Sequence, residues 1–271
     1  IMLNADGSVH KIKGSVDMPI FPRSTVKCMQ ASAMVRNGLK LEPRLLALAQ
    51  ASHSGAAMHQ AGVLEILAGV GLSESDLQCA FDKPLGDAER IAWGDKPATR
   101  LAMNCSGKHA GMLATCITAG WAHDASYLSE PHPLQQVITS GIPALTQDAV
   151  LGIGIDGCGA PAHVMSLIGL ARSLRNMATG AAGDEGLRIH RAMTSFPEMV
   201  GGPNRDVTLL MKGVPGLMAK DGAEGVFVAA LSDGRAVALK IADGANRPRP
   251  PLMQAALRTL GVDISAVRSD A

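Results

Sequence analysis

"GVFVAALSDGRAVALKIADG", residues 225–244, decides the fold. Two apolar runs flank Asp233-Gly234, a dipeptide suited to the tight turn of a β-hairpin because glycine accepts a left-handed backbone without steric cost. The chain opens on a smaller version of the same signal. "IMLNADGSVHKIKG" (1–14) carries two short apolar runs around Asp6-Gly7.

Between the hairpins the apolar period changes from two to three and four, the spacing of a helix face. Helices are predicted in "STVKCMQASAMVRNG" (24–38), "AMHQAGVLEILAGVG" (57–71), "GKHAGMLATCITAG" (107–120), "HPLQQVITSGI" (132–142), "AHVMSLIGLARSLRNMATG" (162–180) and "GLRIHRAMTSF" (186–196). A last helix, "PPLMQAALRTLG" (250–261), follows the second hairpin. Hairpin, helices, hairpin, helix implies an α+β sandwich in a single two-lobed domain. The two chain ends build one antiparallel sheet (about 1–50 and 205–271), and a helical lobe (about 51–204) is inserted.

Composition narrows the partners. The 271 residues carry a net charge of +1, and the basic residues are scattered, with no Lys/Arg block longer than a pair. Nucleic acid needs a concentrated positive field and usually aromatic platforms, and only 3% of this chain is aromatic. No apolar run reaches the roughly 18 residues of a membrane span. Five widely spaced cysteines do not suit a disulfide framework, so free thiols and a cytoplasmic setting are expected.

Four short stretches concentrate reactive side chains. In "PIFPRSTVKCMQAS" (19–32), Ser24 and Lys27 sit three apart, on one face of a helix. A serine hydroxyl is a poor nucleophile at neutral pH and needs a base beside it; a lysine serves once burial or another cation lowers its pKa. Taken alone the pair also reads as a capped helix end with a solvated lysine. "ASHSGAAMHQ" (51–60) is an elbow of small residues with Ser52, His53 and Ser54 ahead of a helix, where unpaired N–H groups favour an oxyanion; N-capping by Ser54 is the plainer alternative.

"NCSGKHAGM" (104–112) and "IDGCGAPAHV" (155–164) each place a thiol among polar residues. Two thiolates and a third donor can hold a tetrahedral zinc, although the spacing is not that of a paired CxxC site; buried structural cysteines are the alternative. "LMAKDGAEGVFV" (217–228) puts Lys220 directly before a predicted strand. His10, His123 and His190 fall at predicted surface positions, and His59 on a helix without an evident partner.

In order along the chain, "FPRSTVK", "ASHSG", "NCSGKHAGML", "HPLQ", "DGCGAPAH", "KDGAEGVF" and "VALKIADGANR" resemble the L-asparaginase II family, the bacterial Rhizobium type, over nearly the whole chain. The resemblance implies a serine β-lactamase-like or glutaminase-like fold. It also implies hydrolysis of the side-chain amide of asparagine to aspartate and ammonia by two serine–lysine pairs. Ser24 and Lys27 match the first pair, Ser52 and Lys220 the second. Cys105, Lys108 and Cys158 match the family's zinc ligands, so Zn2+ is an expected cofactor and no organic cofactor is. Arg23, His53, Asn104, His109 and Asp156 match pocket positions. Arg23 is the expected contact for the substrate's carboxylate and Asp156 for its ammonium.

One feature departs from the family: Asp206-Val207 stand where a further active-site cysteine is expected. The family's chain also extends past both ends of this stretch, and a sheet edge left short there points to a homodimer that covers it. The alternatives are a glutaminase or another serine amide hydrolase of the same fold, and a non-catalytic member that binds an amino acid or metal.

Overall fold

A computed structural model describes residues 1–267. β1 (Met2–Leu3) and β2 (Val9–Lys11) form the first hairpin, and a 3-10 turn (Arg23–Val26) leads into α1 (Lys27–Arg36). Then come α2 (Pro43–Leu48), α3 (Ala57–Ala68), α4 (Asp87–Trp93), α5 (Ser106–Ala119) and α6 (Pro133–Thr146). A hairpin of β3 (Gly152–Ile155) and β4 (Pro161–Val164) precedes α7 (Leu167–Thr179), α8 (Asp184–Ser195), α9 (Pro197–Val200) and α10 (Asp206–Gly213). β5 (Met218–Gly222), β6 (Val226–Ala230), β7 (Ala236–Lys240) and α11 (Arg249–Thr259) follow.

The two ends do build one antiparallel sheet, in the order β2-β1-β7-β6-β5. β5 and β6 are buried at every position, as an unbroken apolar run such as Val226–Ala230 requires when both faces are covered. Helices α7 and α11 supply that cover against β6 and β7. The two hairpin turns meet: at Gly234, φ +99°, a Cβ would stand 2.2 Å from the Ala5 carbonyl oxygen. Only glycine fits both the backbone conformation and the contact. No helix among the described residues is long and apolar enough to cross a membrane.

Three local expectations need correction. Residues 162–165 are not the start of a helix. Pro161–Val164 pairs with Gly152–Ile155 as a small separate sheet, and the helix starts only after Ser166, whose Oγ accepts from the Gly169 N–H at 3.0 Å. A proline and a β-branched residue suit a short strand, and the capping serine marks the true helix start. Lys220 lies in the middle of the edge strand β5, opposite Val228, rather than ahead of a strand. His190 and His59 are buried rather than exposed or unpartnered. His190 Nε2 meets the Gly216 carbonyl at 3.0 Å, and His59 stacks on His53 while meeting the Glu198 carbonyl at 2.8 Å.

Helix α5 approaches the end of α2 closely enough to exclude any side chain at Gly107. A Cβ there would lie 2.5 Å from the Leu48 carbonyl oxygen and 2.8 Å from its Cγ. Gly107→Ala is therefore expected to lower stability by about 1–3 kcal/mol, because the obstructing atom is backbone and cannot rotate away. Urea unfolding measures this, and an unchanged midpoint would mean that the two helices part at no cost.

Candidate active site

Three segments far apart in sequence converge on one hydroxyl. Lys27 is the first residue of α1, and its side chain runs inward to full burial. Its Nζ donates to the Ala51 carbonyl at 2.6 Å and lies 3.1 Å from Ser52 Oγ and 3.0 Å from Cys105 Sγ. Lys220 arrives from β5 on the other side, with Nζ 2.9 Å from the same Ser52 Oγ. Ser52 itself is fixed by its backbone. The elbow is stitched to neighbouring segments by N–H bonds from Ser52 to Val200, His53 to Asn104 and Ser54 to Gly201.

Two amines on one oxygen make an asymmetric pair. Burial lowers the Lys220 pKa below its ordinary value; the Asp221 carboxylate opposes this, and the nearby Lys27 charge reinforces it. Asp221 Oδ1 accepts from Lys220 Nζ at 2.7 Å, and Oδ2 accepts from Arg205 Nη2 at 2.7 Å. Arg249 Nη1 stands 3.8 Å from the same carboxylate while Nη2 donates to Asp206 at 2.7 Å. Burial alone would raise the Asp221 pKa, but Lys220, Arg205 and Arg249 together hold it well below the carboxylate range. Lys27 has no such partner: its three contacts are a carbonyl, a hydroxyl and a thiol.

Above this buried assembly opens a cleft of about 310 Å³, with Ser24, Ser52, Asn104, Cys105 and Cys158 on its walls. Ser24 sits in the 3-10 turn ahead of α1, and its hydroxyl has no hydrogen-bond partner among the described residues. The lysine three residues later turns to Ser52 instead. Arg23 lies at the rim with a left-handed backbone (φ 51°), an unusual conformation for a residue with a side chain. Its guanidinium is shared between Asp156 (Nε to Oδ1 3.0 Å) and Glu224, itself at φ 58°. The arginine and aspartate expected to take opposite ends of a substrate are thus paired with each other.

A thiol cluster forms the adjoining wall. Lys108 Nζ is 3.0 Å from Cys158 Sγ, and Cys105 Sγ is 3.2 Å from Asn104 Oδ1. The neighbouring Cys105 side chain draws the Cys158 pKa far down against burial, with Lys108 and His109 adding to the effect. The Cys158 side chain and burial push Cys105 up. Burial disfavours the Lys108 charge, but the two sulfurs outweigh it and raise its pKa. The cluster therefore sets the Lys108 amine against the Cys158 sulfur, with Cys105 alongside.

The remaining pocket expectations divide. Arg23, Asn104 and Asp156 line the cleft. His53 and His109 do not. His53 is buried behind the elbow against Ser106 Oγ at 2.9 Å, and His109 is held by Tyr127 Oη at 2.7 Å. Burial and Lys108 pull the His109 pKa down to about 4, so it is neutral near pH 7. Asp221, Arg205, Arg249 and Asp82 also line the cleft, and no sequence motif singles them out. For Asp221 the signal was there, directly after Lys220, but neighbouring strand residues ordinarily face opposite ways. The long lysine bends back to meet it.

Among the described residues no three His, Cys, Asp or Glu side chains converge as metal donors. Any ion here would need Lys108 with Cys105 and Cys158. The family model described as L-asparaginase II matches residues 1–271, the whole chain. The search of curated proteins found no match to the chain.

Proposed function

The chain belongs to the L-asparaginase II family of asparaginase-type amidohydrolases, and on that premise we propose that it hydrolyses the side-chain amide of L-asparagine through serine–lysine catalysis. The observation that carries this reading is the placement of Lys27 and Lys220 on one hydroxyl, Ser52, beneath a cleft that Ser24 lines. We read the end-to-end sheet with its inserted helices as the serine β-lactamase-like arrangement. A serine and lysine at the start of the first long helix support that reading.

Ser24 Oγ attacks the amide carbon, and its proton passes to Lys27. The uncommitted hydroxyl is free to meet substrate, and Ser24 and Lys27 line one small recess together. The backbone N–H of Ser24 is the donor assigned here to the developing oxyanion; the next N–H, on Thr25, is taken by the Pro22 carbonyl. A donor of this kind is worth about 3 kcal/mol in the transition state. The C–N bond then breaks, and the departing nitrogen takes a proton delivered through Ser52 from Lys220, leaving ammonia and an aspartyl ester on Ser24. Water cleaves that ester with the proton path reversed, and aspartate leaves.

Cys105, Lys108 and Cys158 make a donor set that fits a borderline-soft ion such as zinc, with two sulfurs and an amine already in one place. Bound there, zinc would supply positive charge and Lewis acidity beside the cleft, and Lys108 would have to give up its proton.

Ser52 as nucleophile is a second reading, favoured by its contacts to both lysines. Rapid acid quenching during asparagine turnover, followed by peptide mass spectrometry, separates the two. The expected adduct is on the peptide containing Ser24, and Ser24→Ala should release ammonia at least 10³-fold more slowly. An adduct on the Ser52 peptide, or a Ser24→Ala enzyme near wild-type rate, would overturn the assignment.

A further inference from the structure

We propose that Asp82 receives the α-ammonium of the amino-acid substrate, an inference that rests on the amidohydrolase reading of the cleft. An amino-acid amide brings a full positive charge into a partly dehydrated pocket, and that charge needs an uncompensated anion close by. Three aspartates line the cleft: Asp82, Asp156 and Asp221.

Two of them are already committed. Asp221 spends both oxygens on cations, Oδ1 on Lys220 and Oδ2 on Arg205. Asp156 Oδ1 accepts from Arg23 Nε at 3.0 Å and Nη2 at 2.8 Å, and from the Gly157 N–H at 2.9 Å. Asp82 has only one bond, from the backbone N–H of Lys83 to Oδ1 at 2.8 Å. Among the described residues no lysine, arginine or histidine nitrogen comes within 4.0 Å of its carboxylate. Its position is nevertheless fixed, because Asp82 and Thr99 exchange backbone hydrogen bonds at 3.2 and 3.0 Å.

Two apolar residues of the same cleft, Leu85 and Met103, keep the local surroundings less polar than open water. The cleft's arginines, Arg23, Arg205 and Arg249, each have a carboxylate partner. An incoming ammonium is therefore drawn to Asp82, and the α-carboxylate is left for the arginine side. Asp82 would thereby select amino-acid amides over simple amides.

The test compares two dicarboxylates that differ only in the α-amino group, L-aspartate and succinate, by titration calorimetry at pH 7. Wild type is expected to prefer aspartate. Asp82→Asn should lose about 10–100-fold in aspartate affinity and keep succinate within about threefold, the loss of one charge-assisted contact. Retained succinate binding also shows that the variant is folded. Equal losses for both ligands, no loss for either, no wild-type preference, or the selective loss appearing in Asp156→Asn instead would each overturn the assignment. Failure of wild type to release ammonia from asparagine would instead sink the reading on which the inference rests. Asparagine turnover with an intact aspartate preference in Asp82→Asn would sink Asp82 alone.

Discussion

Lys220→Met should lower kcat for asparagine hydrolysis by about 10²–10⁴-fold while leaving the protein folded. The proposed proton path to the departing nitrogen runs from Lys220 Nζ through Ser52 Oγ, a 2.9 Å contact, and methionine offers no proton. The fold survives because Asp221 is not stranded: Arg205 still meets it at 2.7 Å, with Arg249 at 3.8 Å. Methionine fills the vacated volume with a flexible apolar chain. Wild type should also lose activity at alkaline pH as Lys220 gives up its proton, below the pH at which a free lysine does, because burial lowers its pKa. A Lys220→Met enzyme within tenfold of wild-type kcat, with an unchanged melting curve, would end the case for this lysine.

Asp221→Ala should act on stability first. It removes the only carboxylate bonded to Lys220 among the described residues and also strips a partner from Arg205. Removing one member of a buried, hydrogen-bonded charge set typically costs about 3–5 kcal/mol. For a chain of this size that is a fall in Tm of roughly 10 °C. The pH dependence follows in sign. The folded-state pKa of Asp221 lies below its unfolded value, so its contribution is present above the ordinary carboxylate range and is lost as the pH falls beneath it. Part of the wild-type acid denaturation should therefore be missing from Asp221→Ala, which starts lower and falls less. Equal stability of the two proteins at pH 7 would contradict the proposed role of this carboxylate. Asp221→Asn, which keeps the shape and loses the charge, should fall between them.

The fate of Lys27 separates local from distant information. Its three-residue spacing from Ser24 is plain in the sequence, and the helix that follows forms as the periodicity requires. Yet the amine turns to a serine 25 residues away and to a thiol 78 residues away. Helical spacing says which side chains share a face; it does not say what that face meets. Arg23 and Asp156 teach the same lesson. Each lies in a recognisable motif, and nothing in either motif shows that they spend their charge on one another across 133 residues.

By itself the sequence determined the α+β class, the pairing of the two chain ends in one sheet, most helices and the short stretches that carry serines, lysines and thiols. These rest on local signals: apolar period, turn dipeptides and capping residues. The β3–β4 hairpin, the bonding of Lys27 to Ser52, the Asp221–Arg205 brace and the uncommitted carboxylate of Asp82 were decided only by the tertiary structure. Charge pairing depends on through-space distance between segments that the chain order keeps apart, and burial then fixes which of those charges remain free.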